Sequence, residues 1–111
     1  MTASKQRGTR WESAIVAYLI DRGWTQTERR TLSGARDRGD IAGIPGVVIE
    51  AKDQKRMSLA EWLDEATVET ANAHARIGVV WFKRRGKTSP GSGYVVMSGD
   101  TFTQLLKAAG W

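Results

Sequence analysis

The chain reads as a single α/β domain, a central mixed β-sheet flanked by helices in the order α-β-β-β-α-β-β-α. Three observations predict this. Amphipathic stretches of helical period alternate with short β-branched runs. At 111 residues and 41% hydrophobic content, the chain has the size of one compact core. No internal repeat and no Pro- or Gly-rich linker divides it. Residues 1–8 are expected to be a flexible basic N-terminus, and 9–111 the folded domain.

From Thr9 to about Asp21, Trp11, Ala14, Ile15, Tyr18 and Leu19 recur at helical spacing, and Gly23 supplies a stop. Trp24 to Leu32 reads as a strand running into the loop Ser33-Gly34-Ala35-Arg36-Asp37-Arg38-Gly39. Asp40-Ile41-Ala42 and Val47-Val48-Ile49-Glu50-Ala51-Lys52, separated by Ile44-Pro45-Gly46, predict a hairpin. Ser58-Leu59-Ala60-Glu61 has the form of a capping box, followed by a helix to about Ala75 with Leu59, Trp62, Leu63, Ala66, Thr70 and Ala73 on one face. Ile77 to Phe82 is a buried strand, Lys83 to Gly93 a basic loop, and Tyr94 to Met97 another strand. Asp100 is expected to cap a last helix carrying Phe102, Leu105, Leu106 and Ala109.

Composition excludes several functions. Without cysteine there are no disulfides or thiolate ligands, and a single histidine, His74, leaves no zinc-type cluster. A bound metal must therefore be held by oxygen. No segment approaches the roughly 18 apolar residues needed to cross a bilayer, so no membrane association and a cytoplasmic location are expected. The net charge of +5 favours an anionic partner. Lys and Arg cluster before the first helix, around the Ser33 loop and in the Lys83 loop, whereas Met57 to Ala75 contains none. Such segregation suits a polyanion groove.

The strongest chemical signal is Val47 to Lys52. Period-two geometry sends Val48, Glu50 and Lys52 to the same face. Spacing alone also allows a surface ion pair of little energetic weight. The hairpin, however, folds Asp40 beside Glu50, and two convergent carboxylates suit a hard cation such as Mg²⁺, the arrangement that phosphodiester cleavage needs. Lys52 would then position water or stabilise developing negative charge. Glu12, at about 100° per residue, falls near the centre of the Ile15, Val16 and Leu19 stripe. A carboxylate facing a core is costly unless paired. Thr9-x-x-Glu12 is also a capping box, which would turn Glu12 back to the helix start. Asp37 competes with Asp40 as the aspartate, but Ile41-Ala42 continues Asp40 into a strand. Asp53 is expected to point to the opposite face from Lys52 and to be solvated.

Glu12, Gly39-Asp40-Ile41 and Ile49-Glu50-Ala51-Lys52 together resemble the PD-(D/E)XK nuclease superfamily, whose core is an Asp followed by Glu-x-Lys on a hairpin. Gly8-x-x-x-Glu12, Arg29 or Arg30 followed by Ser33-Gly34, then Asp40-Ile41 and Glu50-Ala51-Lys52, are most similar to archaeal-type Holliday junction resolvases. Short phage-encoded resolvases with Trp-rich second helices look similar too. The resemblance spans roughly Gly8 to Ala75, and Gly39 stands where the family has Pro. It implies a restriction-endonuclease-like core and a homodimer that nicks opposing strands of four-way DNA junctions with Mg²⁺, for which Mn²⁺ substitutes. It further implies that Asp40, Glu50, the Ala51 carbonyl and Glu12 hold metal, that Lys52 assists the water, and that Ser33 lies near the scissile phosphate. Location would be the cytoplasm, the host's if the chain is phage-encoded.

The DNA contacts expected are Arg10, Arg29, Arg30, Arg36, Arg38, Lys55, Arg56, Lys83, Arg84, Arg85 and Lys87. The Lys83 loop can equally be a solvated turn. It is not a P-loop, since its Gly and Lys spacing and flanking elements are wrong. Trp62 and Trp81 sit at core positions. Trp11, Trp62 and Trp111 are alternatively interface residues, and His74 is expected to be structural. The alternatives are a restriction, mismatch or repair nuclease of the same superfamily, or a basic DNA-binding protein without catalysis.

Overall fold

The computed structural model describes residues 2–31 and 36–111. Helix α1 spans Ala3–Asp21 and starts six residues ahead of Thr9. The Thr2 hydroxyl accepts the Lys5 N–H at 3.2 Å as the N-cap, and the following Ala, Lys, Gln and Arg favour helix enough to offset Gly8. The basic N-terminus is therefore helical from Ala3 and not a flexible tail, and Thr9 lies inside the helix where it caps nothing. Trp11, Ile15 and Leu19 form the buried stripe. Trp11 is drawn inward because its indole Nε1–H donates to the Trp81 carbonyl at 3.0 Å, so Glu12 falls on the flank of the stripe and not at its centre.

Strands β1 (Glu28–Arg29), β2 (Ile41–Ala42), β3 (Val47–Lys52), β4 (Ile77–Phe82) and β5 (Tyr94–Val96) form one sheet in the order β1-β2-β3-β4-β5. β1 keeps only two residues of the strand expected from Trp24 to Leu32. The hairpin forms as expected, with β2 antiparallel to β3 and Ile41 opposite Ile49. β3 and β4 run parallel, with Glu50 opposite Val80, and β5 returns antiparallel to β4. A parallel pair needs a crossover, which helix α2 (Leu59–Asn72) supplies. Helix α3 (Gly99–Ala108) ends the domain.

The alternation along β3 sorts the core into two layers. Ile49 faces α1, where Trp11, Ile15, Leu19, Ile41, Val79 and Trp81 pack together. On the other face Trp62 and Ala66 of α2 pack on Val80 and Phe82. α2 approaches β4 closely at Gly78, where a Cβ would collide with the Thr70 hydroxyl. That hydroxyl donates to the Ala66 carbonyl.

Two caps differ from expectation. Ser58 occupies the N-cap of α2, but at φ −132° and ψ 63° its side chain makes no capping bond. For α3 the cap is Ser98, whose Oγ accepts the Thr101 N–H at 3.1 Å, and Asp100 lies in the first turn, where its charge favours the helix dipole. No residue of α3 is buried. No helix among the described residues is long and apolar enough to cross a membrane.

Candidate active site

Asp40 is placed by backbone geometry. Gly39 has φ +95°, and a Cβ there would lie 2.8 Å from Val48 Cγ1. Proline, fixed near φ −65°, cannot adopt this conformation, so this loop requires glycine before Asp40. The Gly39 N–H donates to Asp37 Oδ1 at 2.9 Å, and Asn72 Nδ2, at the end of α2, donates to the Asp37 carbonyl at 2.7 Å. The Asp40 N–H then donates to the Ile49 carbonyl at 3.0 Å. Its carboxylate Oδ2 accepts the Ala51 N–H at 2.8 Å, which seats Asp40 against the peptide joining Glu50 to Ala51.

Glu50 and Lys52 point together toward α2, as period two requires. Lys52 Nζ lies 3.3 Å from Glu50 Oε2 and 2.9 Å from Glu65 Oε1, above the Trp62 ring at 5.9 Å from its centroid. Glu69 completes the group: ligand oxygens of Glu50, Glu65 and Glu69 lie within 4.8 Å of one another. Glu50 is 5% exposed and Glu69 1%. Among the described residues, no donor reaches Glu50 Oε1 or either carboxylate oxygen of Glu69.

The electrostatics follow. Burial, reinforced by the Asp40 and Glu69 carboxylates, pushes Glu50 up to about 10. Burial also raises Glu69 to about 8, with Asp37 and Asp40 acting in the same direction. Asp40 rises with burial, held back by the Ala51 N–H. For Lys52, burial favours the neutral amine, but Glu65 and Glu50 outweigh it and raise the ammonium. Carboxylates this crowded need a cation or shared protons.

Glu12 does not join this group. It pairs with Arg29 at 3.0 Å, beside α1, and it is raised first by burial and further by Asp40. Arg29 is thereby committed to an ion pair, which changes its expected part as a DNA contact. Asp53 is half-buried, not freely solvated, with Lys83 Nζ at 3.8 Å. Ser33 lies outside the described residues.

Sequence reasoning missed Glu65 and Glu69. The signal for Glu69 was present, since it falls on the buried stripe of α2 with Trp62 and Ala66, the same anomaly that drew attention to Glu12.

The expected cations distribute around the acids. Arg30, Arg36 and Arg38 line a small pocket with Asp37 and Asp40. Lys55 and Arg56 flank a groove that includes Ala51 and Lys52. That groove continues through Arg7 and Lys55 into a cavity of about 460 Å³ lined by Lys83, Arg84, Arg85 and Tyr94. Arg7 was not among the contacts expected. Arg10 and Lys87 are exposed and line none of these cavities.

Comparison with protein families, with curated proteins and with solved structures finds no match. An all-oxygen donor set with a buried carboxylate oxygen lacking any donor among the described residues fits a hard divalent cation.

Proposed function

We propose that the chain is a divalent-metal-dependent DNA endonuclease acting on branched DNA, with four-way junctions as the substrate. The observation that carries this is the convergence of Asp40, Glu50 and Lys52 at one end of the β2–β3 hairpin, beside a basic groove. Pure DNA binding has no use for carboxylates aimed where phosphates pass.

Asp40, Glu50 and the Ala51 carbonyl would hold Mg²⁺, or Mn²⁺ in its place, which when bound polarises the phosphate and supplies a water of lowered pKa. The chain's own groups do the rest. Glu65 holds Lys52 at 2.9 Å, presenting an ammonium to charge that develops on the phosphate. Asp40 and Glu50 are kept close by the Ala51 N–H. Arg36 and Arg38 beside Asp40, and the Lys55, Lys83, Arg84 and Arg85 groove, carry the phosphate backbone past the site. Glu12 acts from α1 through Arg29 and its field on Asp40.

The likeness of Gly39-Asp40 and Glu50-Ala51-Lys52 to the PD-(D/E)XK motif supports the nuclease chemistry, and the wider likeness to junction resolvases supports the substrate. Cutting two symmetric strands calls for a homodimer. Exposed Tyr94 and Val95 on β5, with Phe102 and Leu105 on α3, are apolar surface available for it.

The test incubates an end-labelled immobile four-way junction and a matched duplex with the protein, in Mg²⁺ or EDTA. Paired metal-dependent nicks confined to the junction are the expected result. Equal cutting of duplex removes the junction assignment and leaves a restriction or repair nuclease. Binding without any cleavage favours the non-catalytic DNA-binding alternative.

A further inference from the structure

We infer that Glu69 of α2, together with Glu50 and with Glu65 at the rim, holds a second divalent cation between β3 and α2. This deepens the proposed metal-dependent site and rests on it only through the shared Glu50.

Glu69 sits on the packed face of α2, 1% exposed, where its neighbours Trp62 and Ala66 are apolar. An ionised carboxylate there is costly unless something compensates it. The nearest ammonium does not, because Lys52 Nζ is taken by Glu50 Oε2 and Glu65 Oε1. Three buried oxygens, Glu50 Oε1 and both of Glu69, thus have no donor among the described residues, and one oxygen each of Glu50, Glu65 and Glu69 lie within 4.8 Å of one another. In the metal-free chain, protons held by Glu50 and Glu69 neutralise the pair. A divalent cation with oxygen preference serves all three, with Glu65 within 4.8 Å and water to complete the shell. Binding there ties the crossover helix to the catalytic strand and leaves Glu50 as the carboxylate common to both positions.

The experiment counts Mn²⁺ bound to the full chain by electron paramagnetic resonance, with a parallel thermal melt, for the wild type, Asp40→Asn, Glu69→Gln and Glu65→Gln. Glu65→Gln alters a side chain that is 42% exposed, so it tests the site without threatening the fold, and melts in EDTA report the fold of each variant. The expected result is two Mn²⁺ in the wild type and one in Asp40→Asn. Glu69→Gln is expected to keep one and lose most of the Mn²⁺-induced rise in Tm, and Glu65→Gln to weaken one site severalfold. If Glu69→Gln and Glu65→Gln both bind two Mn²⁺ with unchanged affinity, the inference falls. A single ion lost in Asp40→Asn and kept in Glu69→Gln overturns the inference and leaves the nuclease site standing. A single ion lost in Glu69→Gln and kept in Asp40→Asn overturns the inference of a second cation, since the one ion then sits at Glu69 and Asp40 is not a ligand. No bound Mn²⁺ overturns both.

Discussion

Individual side chains carry the strongest predictions because each sits in a defined electrostatic setting. Lys52 is held between Glu50 and Glu65, so Lys52→Ala is expected to lower kcat for junction cleavage by about 10²-fold or more. Gel-shift affinity in Ca²⁺ should change far less. Asp40→Asn should abolish nicking altogether in the same assay. Glu50 and Glu69, raised to about 10 and about 8 from 4.5, predict an unusual pH dependence of stability. Between pH 5 and 8 the metal-free folded state keeps protons that the unfolded chain has released. Stability therefore falls as pH rises, by about 1.4 kcal/mol per pH unit for each such proton. Urea denaturation in EDTA from pH 5 to 9 should show the decline, and Glu69→Gln should reduce it.

At the level of elements, function depends on how the β2–β3 hairpin and α2 are fixed. The loop before β2 is set by Gly39 at φ +95° and by Asn72 reaching Asp37 from α2. Gly39→Pro is expected to cost more than about 1 kcal/mol and to displace Asp40 from the Ala51 N–H. Cleavage should then be lost while the helical circular dichroism persists. The α2–β4 contact at Gly78 is equally tight. Gly78→Val should destabilise the domain by about 1–3 kcal/mol, measured as a lower urea midpoint. Among the elements, the strands β3 and β4, the hairpin and the crossover helix were legible in the sequence because their patterns are local. The caps were less so: Ser58-x-x-Glu61 has the right letters, but the chain enters α2 at a backbone angle that no local pattern records.

Over the whole molecule, the segregation of charge sets how the proposed DNA substrate would be met. Lys83, Arg84 and Arg85, with Lys55 and Arg7, open onto the groove that passes Lys52, whereas α2 carries no Lys or Arg. DNA affinity should fall steeply with salt. The double variant Arg84→Ala, Arg85→Ala is expected to reduce the slope of log K against log salt by about 1 per cation lost, read by fluorescence anisotropy on a labelled junction. The exposed Phe102, Leu105 and Val95 belong to the same scale. Sedimentation equilibrium should show a dimer if they meet a second copy, and Phe102→Asp should shift it to monomer.

The sequence by itself determined the α/β class, the hairpin, and the placement of Glu50 and Lys52 on one face, since alternation and turn chemistry act over a few residues and need no knowledge of the rest. It also marked Asp40, whose position follows from the hairpin. Tertiary structure alone decided which acids stand beside Glu50. Glu12 looked core-facing on a helical wheel, but the Trp11 bond to Trp81 rotates the buried stripe and leaves Glu12 to Arg29. Glu69, the acid on the buried stripe of α2, is brought to Glu50 because the parallel β3–β4 pairing forces α2 across that face of the sheet. Pairwise electrostatics between residues far apart in the chain depends on that crossing, and only the folded chain contains it.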